Sequence, residues 1–250
     1  MQKNGMNNRV KGLAAIGFML VIYYGIKFIA VNAALYDFLP INGKEIDMDW
    51  IRKMEHHFIQ LLLAILLIVI FSRGKIQKWG FNFYNFKLSI KILKKFIFYY
   101  VVYFILISLM IQFFFYPDPS LNYSLTPINA LGHLSFMWLV SGTSEEILFR
   151  GLIQTFLAVY LTNVYKIRGI ELPLAGVVAA LIFTLAHFHF SLFPFEVIHY
   201  NIPQLIMAFV LGIFYSITFH YTRSLLAPII AHNLSNGTIL LSTYILYLIK

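Results

Sequence analysis

The sequence predicts an all-α fold, a polytopic transmembrane helical bundle of about seven spanning helices. Three observations carry this prediction. Of the 250 residues, 60% are hydrophobic and only 12% are charged, against about half and a quarter in soluble domains. The apolar residues gather into runs close to the ~20 residues that a bilayer-crossing helix needs. Lysine and arginine fall in short stretches between those runs, where they set topology. A chain with mean hydropathy +0.77 cannot cover a water-facing surface, so its outer face meets lipid. The 18% aromatic content suits side chains facing lipid and the headgroup belts.

The runs place helices at about 12–36, 56–72, 96–116, 133–158, 172–192, 201–221 and 225–248. The first follows Lys3, Arg9 and Lys11 and has small residues near Ala33 and Ala34, the outline of a signal peptide. Its apolar run is longer than a signal core, so it reads as a retained helix. The second is short and starts in the interface at His56 and His57, leaving the charged stretch from Asn42 to Glu55 on the surface. Trp79 to Leu93 mixes aromatics with Lys87 and Lys91, and Lys94 and Lys95 lie just beyond. This pattern suits an amphipathic helix on the inner leaflet. No repeat or flexible linker divides the chain, so residues 1–250 form one membrane domain.

The charges orient the bundle. With the N-terminus in the cytoplasm, the inward segments hold Lys3, Arg9 and Lys11, then the seven basic residues from Arg73 to Lys95, then Lys166, Arg168 and Arg223. The outward segments hold Lys44, Arg52, Lys53 and Lys250, while 117–132 and 193–200 carry no Lys or Arg. The positive-inside rule is met, and an odd number of helices puts the C-terminus outside. The net charge of +9 is therefore directed at lipid headgroups, not at nucleic acid. With no cysteine, disulfides, thiolate metal ligands and a cysteine nucleophile are excluded.

Ionisable groups at bilayer depth cost about 2.5–3.5 kcal/mol each on insertion scales, so they are functional candidates. Three clusters qualify: Ser141 to Gly151 on the fourth helix, Phe183 to His189 on the fifth and His232 to Gly237 on the seventh. Glu145 and Glu146 project about 100° apart and cannot share a role. Glu146 precedes Arg150 by four residues, the favourable spacing for an ion pair that holds the helix to its neighbours. Glu145 has no such local partner, the condition that suits a general base. The alternative is that both acids serve as interhelical glue. Thr143 to Glu146 also has the form of a capping box, which would break the fourth helix there.

His187 and His189 point to nearly opposite faces, and only His187 is taken into the site. His232 and Asn236 share a face, with Asn233 turned away. Together an acid, two histidines and an amide supply a base, positioning groups and donors for an oxyanion. His56, His57, His133, His199 and His220 lie at predicted helix ends and are read as interfacial. Counted from the helix ends, His187 falls toward the outer side and His232 toward the inner side, although the chemistry needs them close.

EExxxR at Glu145, Glu146 and Arg150, FxxxH at Phe183 and His187, and HxxxN at His232 and Asn236 occur in that order. This resembles the CPBP family, the CAAX proteases and bacteriocin-processing or Abi membrane proteins, over roughly residues 130–240. No motif position departs from the pattern, while the first three helices match only in general character. The resemblance implies an intramembrane endopeptidase in which Glu145 activates water with help from His187. His232 and Asn236 would stabilise the oxyanion, with Glu146, Arg150 and Phe183 in support. It leaves the metal question open, because Glu145, His187 and His232 could hold zinc with an open position. The Lys-, Ile-, Phe- and Asn-rich usage suggests a bacterial chain. Bacteria generally lack protein prenylation, so the expected substrate is an unprenylated peptide or membrane-protein segment. The resemblance implies peptide-signal maturation or bacteriocin processing and immunity. A non-catalytic scaffold or immunity protein and a proton-coupled transporter are the competing readings.

Overall fold

The computed structural model describes residues 2–41, 43, 45–102, 105–106, 110, 121–192 and 195–249. Helix α1 covers Gln2–Ala34 and α2 covers Met48–Ser72. A 3-10 turn at Ile76–Trp79 leads to α3, Phe86–Phe96, which continues as a π-helical stretch over Ile97–Val101. Helix α4 runs over 127–157, and a hairpin of β1 (Val164–Ile167) and β2 (Ile170–Pro173) follows it. Helix α5 is Leu174–Ala186, and a second antiparallel hairpin pairs β3 (His189–Leu192) with β4 (Phe195–His199). Helices α6 (Ile202–Thr222) and α7 (Leu226–Ile249) complete the chain.

The helical bundle agrees with the sequence. Asn8–Ala34 in α1, together with α2 and α6, is long and apolar enough to cross a membrane. Large apolar side chains such as Val21, Phe28, Leu66 and Val210 stay exposed on these helices, as lipid contact demands. Helix α7 has 24 residues, but His232, Asn233, Ser235 and Asn236 dilute its apolar character. Of the expected third span at 96–116, residues 103–104, 107–109 and 111–116 lie outside the described residues, as does Lys250.

Helix α4 is the hub, packing against α2, α5, α6 and α7. The expected break at Thr143 does not occur. Ser141 and Gly142 both have right-handed helical dihedrals, and the Thr143 hydroxyl donates to Leu139 O at 2.6 Å instead of capping. The helix yields in another way, with π-helical stretches at Phe136–Ser141 and Ile147–Gln154 on either side of the two glutamates. Such widened turns shift the register of the side chains beyond them and are frequent at functional sites.

Helix α2 starts eight residues earlier than its apolar run. Asp47 caps it by accepting from the Asp49 N–H at 3.2 Å, and Trp50, Ile51 and Glu55 in its first turns are buried. Its cations are neutralised locally. Lys53 pairs with Asp49, and Arg52 donates twice to Asp37 at 2.9 and 3.1 Å. The Arg52 guanidinium holds the exposed Asp37 carboxyl below the usual carboxylate range. More than half of the stretch expected on the surface is therefore helix, and His57 lies well inside α2.

Neither hairpin is visible in the apolar runs. Arg168 and Gly169 form the two-residue β1–β2 turn with φ of 49° and 84°. Positive φ at both positions is the type I′ geometry that suits a twisted hairpin. Lys166 and Arg168 sit exposed on this hairpin. Helix α5 is shorter than expected because the chain leaves helical geometry at His187 (φ −87°, ψ 3°) and turns into β3.

Candidate active site

Two glycines bring α4 and α7 into close contact. A Cβ at Gly142 would stand 2.6 Å from Asn233 Oδ1 and 2.9 Å from His232 Cβ, and one at Gly237 would collide with the Trp138 indole. Small residues at such crossings let backbones approach. Here the approach sets the glutamates of α4 beside His232. Glu145, His187, His232 and Asn236 line one cavity of about 290 Å³ together with Ser141 and Gln204. Met137, Ile239, Leu240 and Thr243 complete its wall.

The two glutamates have different surroundings. Glu146 is fully buried, with Arg150 Nε 3.3 Å from one carboxylate oxygen and His232 Nδ1 2.8 Å from the other. The Arg150 contact is an ion pair by distance without hydrogen-bond alignment, since neither atom has a hydrogen-bond partner. Arg150 spends Nη2 on Gly212 O at 2.8 Å and lies over the Phe183 and Tyr215 rings, 5.1 and 5.6 Å from their centroids. Glu146 thus does more than neutralise Arg150, because it also fixes the ring of His232. Tyr215 stacks on that ring, and Phe183 meets both His187 and His232 edge to face.

Glu145 keeps 17% of its side-chain surface. One of its oxygens is 3.4 Å from His232 Nε2 and the other 3.9 Å from His57 Nε2. His187 Nδ1 faces Phe183 O at 2.9 Å. A carbonyl only accepts, so Nδ1 carries the proton and Nε2 is the ring's free end. Asn236 donates through Nδ2 to Ser141 Oγ at 3.1 Å. Asn233 is bonded to Thr143 at 3.0 Å and does not line the cavity.

His57 is a correction. Read as interfacial, it is instead a partly buried neighbour of Glu145 within α2, and its Nδ1 bonds Ser144 at 2.5 Å. Gln60, one turn on, reaches the same serine at 3.3 Å. The i, i+3 spacing of two polar side chains in an apolar helix was the available signal. His133 and His220 do sit near helix ends, bonded to Asp47 and Glu171.

Zinc ligands at about 2.0–2.1 Å from the metal place their own donor atoms within a few ångströms of one another. Glu145 and His232 meet that spacing, but His187 does not complete a set. Among the described residues, only Asp47, Asp49 and His133 have ligand atoms all within 4.8 Å of one another. That group is engaged in capping α2 and pairing with Lys53. As placed, Glu145, His187 and His232 do not form a zinc site.

Removing Arg150 leaves Glu146 buried and uncompensated, a loss of about 3–5 kcal/mol in comparable buried pairs. Arg150→Ala is expected to lower folded yield in detergent sharply, measured by size-exclusion chromatography. Yield equal to wild type would remove its structural role.

The sequence of this region has a counterpart in a known family model. Residues 127–238 match the model described as Rce1-like, type II CAAX prenyl endopeptidase Rce1-like. No curated protein and no solved structure matches the chain. The matched segment opens on the first residue of α4, ends within α7 and contains every residue of the three motifs. The stretch that carries Glu145, His187, His232 and Asn236 is thus similar to the Rce1-like CAAX endopeptidases.

Proposed function

We propose that the protein cleaves a peptide or membrane-protein segment by attack of a water molecule that Glu145 deprotonates with help from His187. His232, protonated on both ring nitrogens so that Nε2 donates while Nδ1 serves Glu146, and Asn236 donate to the oxyanion, and Glu146, Arg150 and Phe183 hold the donors in place. The observation that carries this reading is the convergence of Glu145, His187, His232 and Asn236 on one cavity from three separate helices. That arrangement offers a base and oxyanion donors around a space for a scissile bond.

The chemistry balances without a covalent intermediate. Water oxygen bonds to the carbonyl carbon as one water proton passes to Glu145. The charge on the former carbonyl oxygen is met by His232 and Asn236. Glu145 then returns the proton to the leaving nitrogen as the C–N bond breaks. The apolar wall of Met137, Ile239 and Leu240 supports a substrate with an apolar side chain beside that bond. The motif resemblance to the CAAX proteases and bacteriocin-processing proteins supports a role in peptide-signal maturation or bacteriocin processing. The distribution of basic residues supports a cell-membrane orientation with the N-terminus cytoplasmic and the C-terminus outside.

Purified protein in liposomes, incubated with a library of unprenylated peptides and analysed by mass spectrometry, tests the reading. Defined cleavage products are expected. Saturable peptide binding without any cleavage would instead identify a scaffold.

A further inference from the structure

The histidine that the family motifs leave out faces the proposed base. His57 comes from α2, outside the matched segment 127–238. Its hydrogen-bonding role follows from Ser144. The Ser144 hydroxyl has one hydrogen, and it points at Ser141 O at 3.0 Å, an atom that only accepts. Ser144 Oγ is therefore an acceptor toward its other two neighbours. With the Ser144 hydrogen on Ser141 O, Gln60 Nε2 donates to Ser144 Oγ at 3.3 Å and His57 Nδ1 donates to it as well. The neutral ring carries its proton on Nδ1 and presents a bare lone pair at Nε2.

That lone pair looks at Glu145 Oε1 across 3.9 Å. A protonated Nε2 would close on the carboxylate to about 2.7–2.9 Å. The observed gap is too long for that bond, and both atoms facing it are acceptors. A single donor with two hydrogens satisfies them, and a water about 2.8 Å from each atom fits the separation. His57 and Glu145 keep 13% and 17% of their side-chain surface, so water can reach the gap. The ring cannot swing away easily, since Phe136 and His56 pack against it at 5.0 and 5.2 Å.

We infer that the attacking water is held between Glu145 Oε1 and His57 Nε2, which makes His57 a further catalytic residue of the proposed peptidase. One hydrogen of the water points at Glu145 and is the proton transferred. The other is shared by the two ring acceptors His57 Nε2 and His187 Nε2, which is the help His187 gives, and it stays on the oxygen as the new C–O bond forms. The water then enters from the α2 side, while His232 and Asn236 belong to α7. The inference rests on the endopeptidase reading above and adds a residue that the motifs do not contain.

Three substitutions in the full-length protein, assayed on one cleaved peptide, test it. His57→Phe keeps a ring against Phe136 and removes both nitrogens. His57→Asn restores a donor near Nδ1 and no acceptor at Nε2. His57→Gln carries an amide oxygen out to the Nε2 position. Positioning a proton-transfer partner contributes about 100- to 10,000-fold, and a lost water bridge removes part of it. His57→Phe and His57→Asn are each expected to lower kcat about 10- to 100-fold with KM nearly unchanged, and His57→Gln to recover much of the loss. A merely structural role through Ser144 predicts the reverse order, with His57→Asn active and His57→Gln not, and that result overturns the inference. So does wild-type kcat in folded His57→Phe, which leaves the endopeptidase reading standing. Absence of cleavage by the wild type removes that reading and this inference together.

Discussion

Glu145→Gln is expected to eliminate cleavage while leaving the folded protein intact. The substitution keeps the shape of the side chain and removes its ability to accept a proton. Among the described residues, Glu145 has no arginine or lysine paired with it as Arg150 is with Glu146, so neutralising it strands no buried guanidinium or ammonium. Folded yield should match wild type, and turnover should fall by at least the 100- to 10,000-fold that general-base catalysis supplies. Chelation is expected to leave wild-type activity in place. A zinc site would have to engage Glu145, His187 and His232 at once, leaving no separate carboxylate to activate bound water, because Glu146 already serves Arg150 and His232. Activity that vanishes on dialysis against chelator and returns with zinc would make Glu145 a ligand.

The sequence carried the helical class and the site elements because both rest on strong local signals. An ionisable residue in an apolar run stands out against the cost of burying it, and spacings of four identify side chains on one helix face. What it could not carry was how those faces meet. His57 reads as interfacial from the sequence because the apolar run of α2 begins beside it. The true start, at the Asp47 cap, includes Arg52 and Lys53. Their charges hide a helical turn from an apolarity window, although Asp37 and Asp49 neutralise them.

The place of Glu146 was half legible. Its spacing to Arg150 is local and could be read, whereas the bond to His232 spans 86 positions and depends on the crossing at Gly142 and Gly237. The conflict over the depth of His187 and His232 came from counting along upright helices that start at one level. Both side chains line one cavity, so that assumption fails here. The two hairpins were missed because short exposed strands such as β1, with every residue exposed, bury no face and leave no alternating pattern to find.

Asn236→Ala is expected to lower kcat about 100- to 1,000-fold, the usual cost of one oxyanion donor, with KM within a few-fold of wild type. The Asn236 amide has two N–H groups, and Ser141 Oγ accepts from Nδ2. That contact fixes the plane of the amide and leaves the second N–H for an acceptor in the cavity that Asn236 lines. A carbonyl oxygen draws on this donor most strongly when it becomes an oxyanion, so the loss should appear in kcat more than in KM. Two further substitutions separate the donor from its support. Asn236→Asp keeps the shape but replaces the donor with a negative acceptor, and it should be at least as damaging as alanine. Ser141→Ala removes only the orienting partner and should cost less than either. Loss of tenfold or less in both Asn236 variants, with folding intact, would show that Asn236 faces away from the developing charge.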